Sequence, residues 1–137
     1  MKLSKSAECA LRIMGYLANE SSGTMPMLSE RLGIPYHHVA KLIQQMAKAQ
    51  LVHTKQGKHG GVQLMKSPQS TTFKDIITLV DGPTRMADCL RDPALCRLYG
   101  GCTLQSVLQA VQHQIDAVLM NTTLDQLIQR TPHERTD

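Results

Sequence analysis

The chain has no tryptophan, a single phenylalanine and three tyrosines in 137 residues. So few aromatic platforms argue against a protein that grips single-stranded nucleic acid by stacking its bases. Long apolar runs are missing too. The best candidate, Leu11 to Ala18, is interrupted by Arg12 and Gly15 and falls far short of the roughly 20 apolar residues that a membrane helix needs. Nothing at the N-terminus has the composition of a secretory signal. The expectation is therefore a cytoplasmic protein with no membrane partner, in a compartment where thiols stay reduced. No nucleophile–base arrangement and no pair of carboxylates stands out, which makes an enzyme the weakest reading. The length suits one domain with a real core, or a small domain plus an appendage.

What charge there is lies unevenly. Residues 1–68 hold nine Lys and Arg against three Asp and Glu, a net of +6, whereas residues 69–137 hold six against eight, a net of −2. Four of the six histidines, His37, His38, His53 and His59, also fall in the first half. A basic half joined to a mildly acidic one suggests a polyanion-binding end and a ligand- or partner-binding end.

The basic half has the pattern of a winged helix-turn-helix. Leu3, Ala7, Ala10, Leu11, Met14, Leu17 and Ala18 form a helical stripe behind the N-cap candidate Ser4. A short helix follows from Met25 to Leu32, with Pro26 in its first turn and Gly33 as its stop. A second helix starts near Pro35, with Val39, Leu42, Ile43 and Met46 on one face. Two short helices around a glycine turn outline a helix-turn-helix. Opposite the apolar face of the second lie His37, Lys41, Gln44 and Lys48, the donors a recognition helix needs for base edges in the major groove. Two strand-like stretches, 51–55 and 62–65, then flank Gln56-Gly57-Lys58-His59-Gly60-Gly61, which predicts a β-hairpin wing. Its glycines let backbone approach the sugar-phosphate chain, and Lys55 and Lys58 offer charge to phosphates. A nucleotide-phosphate loop fits the same glycines poorly, because no helix start with a Lys-Ser/Thr pair follows.

In the second half, Thr72-Phe73-Lys74-Asp75 has a capping-box pattern ahead of Ile76, Ile77 and Val80. Three cysteines come next, Cys89, Cys96 and Cys102, separated by six and five residues in a segment that carries Pro93, Gly100 and Gly101. Close cysteines in a protein of this kind point to a metal or redox site before a disulfide framework. A loop able to wrap three thiolates suits an iron–sulfur cluster; tetrahedral zinc and a metal-free thiol–disulfide switch are the alternatives. The helix expected over 103–120 carries Leu104, Leu108, Val111, Ile115 and Val118 at gaps of 4, 3, 4 and 3, a coiled-coil seam that predicts a homodimer contact. A short closing helix through Leu127 and Ile128 and a loose polar tail over 131–137 complete the expectation. The fold class is mainly α with a small β-hairpin. A winged helix-turn-helix covers 1–70; residues 71–137 supply a linker helix, the cysteine loop over 89–102, the dimerisation helix and the closing helix.

Taken together, Met1-Lys2-Leu3-Ser4 with Ala10-Leu11-Arg12, the wing Gly57-Lys58-His59-Gly60-Gly61, the three cysteines and Thr123-Leu124-Asp125-Gln126-Leu127 resemble the Rrf-type winged-helix regulators. That family includes the iron–sulfur cluster regulator and the nitric-oxide-sensing repressor, and the resemblance runs from Met1 to about Gln129. It implies a homodimeric repressor that binds a pseudo-palindromic promoter site in double-stranded DNA. Each subunit would carry one cluster held by Cys89, Cys96 and Cys102, [4Fe–4S] in preference to [2Fe–2S], reporting on nitric oxide, redox or iron. DNA contacts are expected from His37, Lys41 and Gln44 on the recognition helix and from Lys55, Gln56, Lys58 and His59 in the wing. Two positions depart from the family pattern. Gln56 stands where the wing usually has an arginine, and Gln105 stands where some members have a histidine ligand. The family's other solution is a carboxylate on the first helix of the partner subunit, which matches Glu8; Cys9 and then His113 rank behind it as the non-loop ligand.

Overall fold

Helix α1, Lys5–Glu20, begins where Ser4 turns its hydroxyl back to accept the Ala7 N–H at 3.0 Å, which satisfies an orphan donor of the first turn. Its stripe buries Ala7, Ala10, Ile13, Met14 and Leu17. In the computed structural model, which describes residues 2–128, every later element packs directly or indirectly on this helix. Helix α2 spans Met25–Leu32, with Pro26 in its first turn, Thr24 as its N-cap and Gly33 at φ 63° closing it. Helix α3, Tyr36–Lys48, starts after Pro35 and buries Val39, Leu42, Ile43 and Met46. Strands β1, Val52–Lys55, and β2, Gly61–Leu64, pair antiparallel with Val52 opposite Leu64 and Lys55 opposite Gly61. The expected winged helix-turn-helix is thus present.

Helix α4, Phe73–Asp81, carries the full capping box read from its sequence: Thr72 Oγ1 accepts from Asp75 N, and Asp75 Oδ2 accepts from Thr72 N at 2.9 Å. Helix α5 spans Thr103–Asn121, and the closing element is a one-turn 3-10 helix, Leu124–Leu127. The chain returns beside the start of α4, where Phe73 N donates to Thr122 O at 2.8 Å and Leu124 N donates to Thr71 O at 3.0 Å. Ile76 of α4 and Leu124 join the same buried cluster as α1, α2 and α3, so one core serves both halves of the chain. A Cβ on Gly15 would sit 3.2 Å from Leu127 Cδ1; a glycine there lets the closing turn seat against α1. Each large apolar side chain removed from water in this way stabilises the fold by about 1.5–3 kcal/mol. Among the described residues no helix is long and apolar enough to cross a membrane. The tail expected over 131–137 lies outside the described residues.

Gln112 of α5 anchors a buried polar network. Gln112 is only 5% exposed. Its carbonyl accepts from Met86 N at 2.8 Å, and its amide donates to Thr84 Oγ1 at 3.1 Å and Asp116 Oδ2 at 3.2 Å. Thr84 in turn donates to Asp116 Oδ1 at 2.8 Å, and Lys74 of α4 lies 3.4 Å from the same oxygen. The heptad pattern of α5 gives no sign of this contact, because Gln112 lies off the apolar seam. Burial acts to raise the Asp116 pKa, but the hydrogen bonds from Thr84, Gln112 and Lys74 and the charge of Lys74 outweigh it, so the carboxyl is held below its ordinary value. A depressed carboxyl stabilises the fold fully above its unfolded-state pKa, and that contribution disappears as pH falls through the folded value. Thermal melts of the native chain should therefore lose more stability than those of an Asp116→Asn variant as pH is lowered below about 4. Parallel curves for the two proteins would show that the network does not favour the charged form.

Candidate nucleic-acid interface and cysteine loop

The apolar side of α3 is spent on the core, which leaves His37, Lys41, Gln44 and Lys48 exposed together on the opposite face. The four are one, two and three turns apart on a single helix face, as a groove-reading helix requires. Tyr36, exposed in the first turn of α3, was not singled out from the sequence; its position just after Pro35 was the available signal. It lines a cavity of about 340 Å³ with Pro26 and the wing residues Lys55, Gln56 and Gly60. A second cavity, about 480 Å³, separates Gln44 and Lys48 from Thr54 of β1.

In the wing, Lys55, Gln56, Lys58 and His59 are all exposed. The tip turns tightly, with Gly60 N donating to Gly57 O at 2.9 Å. Gly57 has φ 110°, and a Cβ on Gly60 would fall 2.2 Å from Lys55 O; no other residue fits there without moving backbone. The base of the wing is pinned from outside the hairpin. Gly23, between α1 and α2, exchanges two backbone hydrogen bonds with Val62, at 2.8 and 3.1 Å, which fixes the wing relative to α1. His38, next to His37 but half-buried, shares a 3.2 Å hydrogen bond between its Nε2 and Ser6 Oγ. Sequence pattern did not reveal either tie, because each joins residues remote along the chain.

The cysteine segment winds through successive short turns at the foot of α5. Cys89 is inside a 3-10 turn, Asp88–Leu90; Cys96 follows another, Pro93–Leu95, whose start is capped by the Asp92 side chain; Cys102 is the residue before α5. All three are free and half-buried. Among the described residues no group of three His, Cys, Asp or Glu side chains is close enough to hold a metal ion. Glu8 lies on the first turn of α1, half-buried, with Lys5 Nζ 3.3 Å away. Cys9 is 3% exposed inside the core, so it faces away from any site at the surface, and His113 is exposed along α5. The seam of α5 is largely uncovered, with Leu104 and Val118 each 63% exposed and Val107, Val111 and Met120 also in solvent. In the cysteine segment Leu95, Leu98 and Tyr99 are exposed as well.

Comparison with known proteins matches residues 3–130 to the Rrf2 family, described as an iron-dependent transcriptional regulator. The chain is 29% identical over 132 residues to the HTH-type transcriptional repressor NsrR of Streptomyces coelicolor, covering 93% of this chain and 88% of that protein. Among solved structures it is similar to CymR, the global cysteine regulator of B. subtilis, with a TM-score of 0.76 and 26% identity over 96% of this chain and 99% of that one. It is also similar to IscR of T. potens, with a TM-score of 0.72 and 25% identity over 91% of this chain and 84% of that one. The fold and this match over nearly the whole chain agree: the protein belongs to the Rrf2 family of winged-helix, DNA-binding transcriptional regulators and is not an enzyme.

Proposed function

We propose that the protein is a homodimeric repressor whose hold on a pseudo-palindromic promoter site is set by an iron–sulfur cluster, [4Fe–4S] in preference to [2Fe–2S]. The observation that carries this reading is the set of three free, half-buried cysteines on successive turns of one loop. Thiolates are the usual ligands of such clusters, so the donor chemistry fits, and the loop has to draw its three sulfurs together to use it. When bound, the cluster supplies a site that nitric oxide, oxidants or iron shortage can alter. The uncovered face of α5 supports pairing of two copies, since soluble proteins rarely leave so many large apolar side chains exposed along one helix. Glu8 of the partner subunit is the proposed fourth ligand, an oxygen donor on the first turn of α1. A cytoplasmic location follows from DNA as the target. The second reading, a zinc-stabilised or thiol-switched regulator without a cluster, draws its support from the likeness to a cysteine regulator.

Anaerobic purification followed by visible absorbance and iron and sulfide analysis decides between these readings, because zinc and plain thiols are colourless. Replacing Cys89, Cys96 or Cys102 singly by Ala should remove most of the iron and leave a folded dimer; three variants with full iron and sulfide would sink the assignment. A Glu8→Ala variant should hold a smaller or more labile cluster, and unchanged spectra and lifetime would pass the role to another donor.

His37, Lys41 and Gln44 are proposed to reach base edges, while Lys55, Gln56, Lys58 and His59 hold the backbone. Base contacts alter sequence preference, by about 1–3 kcal/mol for a good bidentate pair, whereas phosphate contacts alter affinity for every sequence. In a binding-site selection at fixed salt, Lys41→Ala should relax one position in each half-site. Lys58→Ala should weaken binding to all duplexes and reduce the salt slope by roughly one unit. If neither the cluster-bound nor the cluster-free form selects a palindromic motif, the repressor reading fails.

A further inference from the structure

The turn that leads into the cysteine loop is held at both sides. Asp81 ends α4, and its carboxylate accepts the Ser4 backbone N–H at 3.0 Å and also the Ser4 hydroxyl. Ser4 is the N-cap of α1, so the acid fixes the residue that starts the helix. Three residues on, Thr84 is tied to Gln112 and Asp116 of α5, and Gln112 holds Met86 N, three residues before Cys89. Gly82, between these ties, adopts φ 78°, a conformation that suits glycine and fixes the turn. From the first turn of α1, Ser6 reaches His38 in the first turn of α3, beside the exposed His37. Hydrogen bonds and short helical steps thus run unbroken from the cysteine loop to the recognition helix inside one subunit.

We propose that Asp81 and His38 are positioning residues that couple the cysteine loop to the recognition helix, Asp81 by setting the N-cap of α1 and His38 by holding α3 to the first turn of that helix. A movement of the loop displaces residues 81–86, shifts Ser4, and changes the tilt of α3 through Ser6. Glu8 lies on the same first turn of α1, so a change of its ligation reaches α3 through the same bond. The inference rests on the proposed function for what the loop senses, and the link itself is independent of it.

The test uses the full chain as purified, with or without iron. Hydrogen–deuterium exchange is followed for peptides covering residues 5–9 and 36–41. Affinity is measured for the duplex recovered by site selection and for a scrambled duplex of equal length. Asp81→Ala should speed exchange in both peptides and lower the ratio of selected to scrambled affinity by roughly threefold or more, with partial rescue in Asp81→Asn. His38→Leu should lower the same ratio while leaving residues 5–9 as protected as before. Combining the two should add little to either alone, since both break one route. Exchange at 36–41 and an affinity ratio that stay native in Asp81→Ala, or effects of the two substitutions that simply add, would overturn the proposal. Should Asp81→Ala fail to fold, Asp81→Asn should show a smaller loss of the same kind, and native exchange with a native affinity ratio in that variant would overturn the proposal. A protein purified without iron would defeat the cluster reading alone, because none of these readouts requires the cluster.

Discussion

Helix α1 is buried along Ala7, Ala10, Ile13, Met14 and Leu17, and its burial is the constraint on which the other elements depend. Helix α4 packs along it, and Gly15 admits the closing turn at Leu127. On its other sides α2 and β2 complete the winged unit. Neither half of the chain could bury its apolar stripe without this helix, so the helix that supports the DNA-reading surface also supports the elements that carry the cysteines. The polar ties serve the same helix at its ends. Ser4, the N-cap, and Ser6, in the first turn, show no sign of distant partners in the sequence, yet one is held by α4 and the other holds α3.

Local signals made much of this legible. The limits of α2 could be read from Pro26 and Gly33, the capping box of α4 from Thr72 and Asp75, and the wing from the spacing of Gly57, Gly60 and Gly61, because each depends on neighbours along the chain. The exposed face of α3 followed from the buried one by helical geometry alone. Contacts that join distant segments were not legible. Gly23 with Val62, Ser6 with His38 and the Gln112 network each pair residues whose types are unremarkable where they stand. Helical spacing puts both Lys5 and Arg12 within reach of Glu8, and the folded chain pairs it with Lys5. Cys9 illustrates the reverse limit: a cysteine next to a candidate ligand suggests chemistry, but the periodicity of α1 turns it into the core.

The two proposed roles of the second half make opposite demands on the surface. An apolar seam along α5 must be covered to be stable in water, whereas three cysteines on short turns must stay free enough to draw together. The fold separates these demands along one element. The seam occupies the helix, and the cysteines occupy the loop at its foot, whose start is held by Gln112 on the side of α5 that faces α4.

The core that runs through both halves, with Ile76 and Leu124 packed among the residues of α1 to α3, leaves no bare linker about which a DNA-reading head could swing. Packed helices that cannot hinge respond by sliding over one another in small steps, and tightly filled interiors pass strain onward instead of absorbing it. On the proposed coupling, a message from the loop would reach the exposed face of α3 as a slight change of tilt. For a helix proposed to meet base edges at hydrogen-bond distance, a displacement of that scale is enough to separate a fitted site from a misfitted one.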